Sequence, residues 1–359
     1  MRRFIAFASH DGDAQICSTI ACPQYSAAIM RSATRGLDWN TLHGSHFKGA
    51  RALVTGGAGF IGSHLVETLS RLGAVPVVVD DLSGGEVANL SGVQAVEFVE
   101  GSILDADLLA RCITGCKYVF HLAALGSVPR SVEQPRLYND VNTLGTLNVL
   151  EAARASGVKR VMFSASSSAY GENPVPWIET MPPMPRSPYA ATKLAGEGLL
   201  RAYAASYGLD TVSLRYFNIF GPRQNANSAY AAVIAAFAAA LLAGRKPTIY
   251  GDGEQSRDFT FVANAIHANL LAARREKPIE GEVINVGCGT RISVNELAKE
   301  MAAALNHSEL TPIHQPERAG DIRHSFADLT LAERELAYKP IVGFEDGLRE
   351  TLAWYQSQQ

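Results

Sequence analysis

The sequence predicts an α/β fold: a doubly wound parallel sheet with helices on both faces, followed by a smaller C-terminal α/β lobe. Three observations predict it. From Ala50 onward, short β-branched runs alternate with longer helical stretches. The first strand-to-helix junction carries glycines at 56, 59 and 62, and beyond Gly221 the strict alternation loosens.

RALVTG reads as a strand, IGSHLVETLSRLG as a helix and VPVVVDD as a second strand. VQAVEFVEG and DADLLARCITG repeat the unit after a turn. YVFHLAA is a strand, LYNDVNTLGTLNVLEAARASG a long helix, and KRVMFSASS a strand whose apolar run suits a sheet covered on both faces. NPVPWIETMPPMPRSP is a loop, because its prolines lack donors and fix φ. The next helix starts with Ser187 as N-cap and Pro188 in its first position, and stops at Gly208. DTVSLRYFNIFG returns as a strand, after which come an Ala-rich helix, the turn YGDGEQSRDF, the strand EVINVG and the helix SVNELAKEMAAALN.

Composition narrows the function classes. With 47% hydrophobic and 19% charged residues the 359-residue chain can bury a large core. A net charge of −3 without Lys/Arg runs gives no footprint for nucleic acid or an anionic membrane. The longest apolar stretch, AYAAVIAAFAAALLAG, is shorter than the ~20 residues that cross a bilayer. Cys17, Cys22, Cys112, Cys116 and Cys288 form no CxxC pair, which suggests reduced thiols in a cytoplasmic protein and no metal site. Residues 1–48 show no clear period and are expected to be a poorly structured extension.

Gly56, Gly59 and Gly62 lie between a strand ending at Thr55 and a helix through His64, the context in which a glycine turn cradles a dinucleotide pyrophosphate on a helix N-terminus. Asp80 ends the next strand eighteen residues later, where a carboxylate accepts bonds from the adenosine ribose. The same carboxylate repels a 2′-phosphate, so the expected cofactor is NAD.

Tyr189 and Lys193 are four apart on one helix and share a face. A nearby ammonium and the positive helix end both favour the phenolate, so the sequence predicts a lowered phenol pKa and a tyrosine acid/base. Ser166, Ser167 and Ser168 sit at the end of the preceding strand, on the edge where ligands of open α/β sheets gather.

With TGGAGFIG, FHLAA, FSASSSAYG and SPYAATK in that order, the chain from about Ala50 resembles the extended short-chain dehydrogenase/reductases, in particular the NAD-dependent nucleotide-sugar epimerases and dehydratases with a Rossmann-type fold. RYFNIFGPRQ, GDGEQSRDF and ERAGDIRHS bring it nearest to UDP-hexose 4-epimerases. The resemblance implies Tyr189 as base, Lys193 as its ribose-binding activator and Ser166 as hydroxyl partner, with Ser167 as a second candidate. It implies that Phe60, Ile61, Ser102, Ile103, Leu122, Ala123 and Ala124 line NAD with the glycine turn and Asp80. Ser102 departs from the family, which often has an acid after that glycine. Gly126 and Ser127 are expected to border the sugar, and Asn218, Gln224, Arg257, Arg318 and Asp321 to hold the sugar, diphosphate and uridine ribose. The implied cofactor domain covers 49–222 plus about 257–288, and the implied nucleotide-sugar lobe covers 223–256 plus 289–359.

Dehydratases and sugar-acid decarboxylases of this family usually carry an acid after the catalytic hydroxyl, where this chain has Ser167 and Ser168. The resemblance therefore implies 4-epimerisation through a transient 4-keto sugar, with a dehydratase or decarboxylase, or a non-catalytic NAD sensor, as alternatives. Four residues after Asp321 the family uses a bulky side chain to exclude N-acetyl groups, and this chain has Ser325. The expected substrates are UDP-GlcNAc and UDP-GalNAc or their uronic acids, alongside UDP-Glc and UDP-Gal. Helices at 135–157 and 188–207 resemble those with which the family builds dimers, so a homodimer is expected.

Overall fold

The computed structural model describes residues 36–225, 232–317 and 322–358. In chain order its elements are α1 (Trp39–His43), β1 (Arg51–Thr55), α2 (Phe60–Arg71), β2 (Val75–Asp80), β3 (Glu97–Glu100), α3 (Ala106–Cys112), β4 (Tyr118–His121), α4 (Val128–Glu133), α5 (Pro135–Asn139) and α6 (Gly145–Ala155). They continue with β5 (Arg160–Ser166), α7 (Pro188–Tyr207), β6 (Thr211–Tyr216), β7 (Ile219–Phe220), α8 (Val233–Leu242), β8 (Thr248–Tyr250), β9 (Ser256–Arg257), β10 (Thr260–Phe261) and α9 (Val262–Arg274). Last come β11 (Glu282–Val286), β12 (Ile292–Ser293), α10 (Val294–Ala304), β13 (Ile313–Gln315), α11 (Thr330–Leu336) and α12 (Phe344–Gln356).

The main sheet has seven parallel strands in the order β11-β6-β5-β4-β1-β2-β3. Strand order reverses at β1, which pairs with β2 on one side and β4 on the other. A crevice for a ligand opens at such a switch point, beyond the carboxyl ends of the strands. Successive strand residues feed separate cores on the two faces. Ala52, Val54 and Phe120 join one, and Leu53, Val119 and Phe163 the other. This explains the unbroken apolar runs.

Local signals act as read for α7. The Ser187 hydroxyl accepts from Ala190 N at 3.1 Å, Pro188 occupies the first turn, and Gly208 closes the helix at φ 67°. Two predicted elements are broken. The long helix at 137–157 contains a π-helical turn over Asp140–Leu144 between α5 and α6. The strand predicted over DTVSLRYFNIFG splits into β6 and β7 around Asn218, whose φ of 37° interrupts pairing. Residues 229–231 of the predicted Ala-rich helix lie outside the described residues.

The expected extension over residues 1–48 is corrected at its end. Asp38 caps the one-turn helix α1 by accepting from Thr41 N at 3.1 Å, and Trp39, His43 and Phe47 are buried in the core. His43 meets His267 of α9 at 3.1 Å, and Arg274 donates to the Leu42 carbonyl at 2.9 Å. A single helical turn is too short for its i, i+4 aromatic spacing to stand out as a period. Residues 1–35 lie outside the described residues.

Candidate active site

The glycine turn fills the switch point. Gly56 has φ 70°, and a Cβ there would lie 2.7 Å from Ala123 N; a Cβ at Gly62 would lie 2.1 Å from the Gly56 carbonyl oxygen. Both positions therefore demand glycine. Gly59, the N-cap of α2, provides no side-chain cap, which leaves first-turn amides of α2 for an anionic ligand. Asp80 is pinned against this turn, its two carboxylate oxygens accepting from Ala58 N and Leu82 N at 2.9 Å. Burial pushes its carboxyl up, and these N–H bonds hold it down. A tight turn, an uncapped helix end and an adjacent carboxylate fit the pyrophosphate and ribose of a dinucleotide.

The other cofactor candidates surround this turn unevenly. Phe60 and Ile61 open α2 half-buried. Leu122 N donates to the Thr55 carbonyl at 3.1 Å and Ala123 N to the Thr55 hydroxyl at 3.3 Å, which lays the segment carrying Ala124 against Gly56. Ser102 Oγ accepts from Leu104 N, in a local turn. Ile103 packs into the core, filling the space that Gly145 leaves open on α6.

The acid/base residues converge at the carboxyl end of β5. Ser166 lies beside Tyr189 and draws its phenol down, while Ser166 Oγ accepts from the Ser168 hydroxyl at 2.8 Å. Ser167 is partly exposed beside it. Lys193 is buried and donates to the Ser164 carbonyl at 2.8 Å, its Nζ 4.9 Å from the Phe163 ring centre. Desolvation lowers Lys193 to about 7, against an upward pull from Glu197. The predicted lowering of Tyr189 is corrected: burial of the phenol raises its pKa, and Ser166 only partly offsets this. Desolvation here outweighs the influences that the four-residue spacing suggested.

Two groups in this region escaped the sequence reading. Asn142, inside the π-helical turn, accepts from Leu125 N at 2.9 Å, donates to the Leu125 carbonyl at 3.1 Å and reaches the Thr192 hydroxyl at 3.0 Å. It fixes the 122–125 segment to α7. Its signal was available, since a mid-helix Asn whose amide can bond backbone is better suited to a break than to a regular turn. Tyr138 of α5 takes the Ser127 N–H on its hydroxyl at 3.2 Å. Ser127 caps α4 through Arg130 N, and Gly126 before it is exposed with open space around it.

A cavity of about 310 Å³ opens between the sheet edge and the C-terminal elements, lined by Asn218, Phe220, Phe237, Tyr250, Arg257 and Phe259 among others. Asn218 donates to the Ser325 hydroxyl at 2.9 Å and to the Asp258 carbonyl at 3.3 Å. Ser325 is buried, only 4% exposed. Gln224 donates to the Ile219 carbonyl at 3.1 Å, while its own carbonyl accepts from Tyr355 at 2.7 Å. Arg257 lines the cavity and donates to the Ser256 carbonyl at 3.0 Å. Arg318 and Asp321 lie outside the described residues. Among the described residues no group of three or more His, Cys, Asp or Glu could hold a metal, and no helix is long and apolar enough to cross a membrane.

Residues 52–287 match the model of the NAD dependent epimerase/dehydratase family. The chain belongs to that family. It is 40% identical to a UDP-glucose 4-epimerase of Mycolicibacterium smegmatis over 86% of this chain and 99% of the relative. It is 36% identical to a UDP-N-acetyl-alpha-D-glucosaminuronate decarboxylase of Bacillus cytotoxicus over 85% and 98%. Its fold matches the solved UDP-N-acetylglucosamine 4-epimerase from Methanobrevibacter ruminantium, in complex with UDP-N-acetylmuramic acid, with a TM-score of 0.83 and 43% identity over 87% of this chain and all of that one.

Proposed function

We propose that this family member is an NAD-dependent 4-epimerase of UDP-sugars that interconverts UDP-GlcNAc and UDP-GalNAc or their uronic acids and also takes UDP-Glc and UDP-Gal. The observation that carries the reading is Ser166 beside Tyr189, one helical turn before buried Lys193, with serines 167 and 168 and no carboxylate following the hydroxyl. Bound NAD would supply a reversible acceptor for the hydrogen on sugar carbon 4. Gly56, Gly59, Gly62 and Asp80 would hold it.

Tyr189 takes the proton of the 4-hydroxyl as base and returns it as acid, while Ser166 shares that proton. Lys193 sits one turn on as the charge that steadies the phenolate. The row lacks the carboxylate that would deprotonate or steer the ring beyond carbon 4. Arg257 and Asn218, which line the 310 Å³ cavity, would bind the nucleotide diphosphate and sugar together with Gln224. Ser325 supports the acetamido preference: it is short and tied to Asn218, so it projects no bulk toward a 2-substituent. Exposed Val128, Val132, Leu137 and Leu144 on the segment 128–144 support a homodimer.

Purified protein should interconvert UDP-GlcNAc and UDP-GalNAc reversibly without added reductant, as read by NMR of the products, and Tyr189→Phe should abolish turnover yet retain NAD. A net change in substrate mass would replace this reading with the dehydratase or decarboxylase.

A further inference from the structure

Lys193 lies in an unusual electrostatic setting. One turn beyond it on α7 stands Glu197, with both carboxylate oxygens engaged by Arg215 of β6 at 2.8 and 2.7 Å. Neither side chain is more than 5% exposed. Arg215 is held from its other side by the Tyr170 ring, 4.5 Å away, and Tyr170 donates to Asn285 at 2.7 Å. Gly196 admits the Phe163 ring beneath the lysine, since a Cβ there would lie 2.5 Å from that ring. The lysine is therefore walled in, with the Ser164 carbonyl as its acceptor.

We propose that Arg215 and Glu197 act as a positioning pair for Lys193, in which Arg215 engages the carboxylate one turn along the helix and leaves the lysine only a weakened counter-charge. The inference rests on the proposed role of Lys193 beside Tyr189. Among the described residues, the other titratable groups around it are neutral or committed elsewhere. His121 of β4 is held near 3 by burial and by Lys193 itself, and it bonds Thr55 and Thr146. Tyr138 of α5, Tyr170 and Tyr216 of β6 are phenols pushed up by burial. Tyr189 is raised by burial too. Glu197 is the charge that pulls the Lys193 proton in, and desolvation pushes it out. The pair thereby adjusts the pH above which the ammonium is lost, against the larger push of desolvation.

The test follows the side chain itself. In protein labelled with ¹³Cε-lysine, with Lys193→Arg assigning the signal, the Lys193 midpoint should lie near 7 in the wild type. Arg215→Met frees the carboxylate and should raise the midpoint by about one unit or more. Glu197→Gln removes it and should lower the midpoint by roughly half a unit or more, while Arg215→Lys should keep the wild-type value. A merely structural pair would admit water when broken and raise the midpoint in both variants, so a rise in both, or no movement in either, overturns the proposal. If a single variant fails to fold, Glu197→Gln/Arg215→Met leaves no unpaired charge: a fall supports the pair, and a rise or an unchanged value overturns it. The titration needs no turnover, so its failure leaves the epimerase reading intact, which stands or falls on Tyr189→Phe.

Discussion

Replacing Gly62 by alanine tests whether the glycine turn is built as tightly as the geometry requires. The new Cβ would sit 2.1 Å from the Gly56 carbonyl oxygen and 2.8 Å from Gly57 Cα, both backbone, whereas ordinary contact starts at 3.4 Å. The carbonyl must retreat by about 1.3 Å, and overpacking of this kind costs about 1–3 kcal/mol. A clash with backbone on both sides belongs at the upper end, about 2–3 kcal/mol, and alanine in a helix returns ~1 kcal/mol, which leaves a net loss of about 1–2 kcal/mol. At about 2–4 °C per kcal/mol, the Tm of NAD-free protein should fall by about 2–8 °C in scanning calorimetry. Because the displaced turn leads into the first amides of α2, NAD affinity by titration calorimetry should drop about tenfold or more, the equivalent of ~1.4 kcal/mol. Gly59→Ala is the comparison: its Cβ lies 3.2 Å from the same oxygen and asks for only tenths of an ångström. Its Tm should stay within about 1 °C of wild type. A Gly62→Ala protein with wild-type Tm and NAD affinity would refute the close-packed turn.

Ser325→Tyr places a ring beside Asn218 and should cut kcat/KM for the 2-acetamido sugars about tenfold or more relative to UDP-galactose; equal loss on both removes Ser325 from the selectivity argument. His43 and His267 are depressed to about 3 and about 4 by burial, below their ordinary 6.5, so the unfolded chain takes up protons first. Their stabilisation is complete above pH ~6.5 and lost as pH falls toward 4, and His43→Phe should flatten the stability slope there by about 1.4 kcal/mol per pH unit in urea titrations. Val132→Lys with Leu144→Lys, on side chains 64% and 46% exposed, should halve the mass seen by light scattering if the segment 128–144 builds the dimer, and should leave the far-UV spectrum unchanged.

The sequence alone was enough for what lies within one turn or one strand. Glycines at 56, 59 and 62 between a strand and a helix require a tight turn whatever surrounds them, and Ser187, Pro188 and Gly208 mark both ends of α7. Four-residue spacing puts Tyr189 and Lys193 on one face by helical geometry, and apolar runs reveal strands covered on both sides. Tertiary structure decided everything that depends on who the neighbours are. It brought Ser325 to Asn218 across 107 positions, docked α1 on α9 and gave Glu197 to Arg215. It also set the phenol of Tyr189 above its ordinary value and Lys193 near 7, opposite to the phenol lowering that the spacing suggested. Capping, periodicity and φ are local properties of the chain, whereas desolvation and counter-charge belong to the packed surroundings and exist only once distant segments have met.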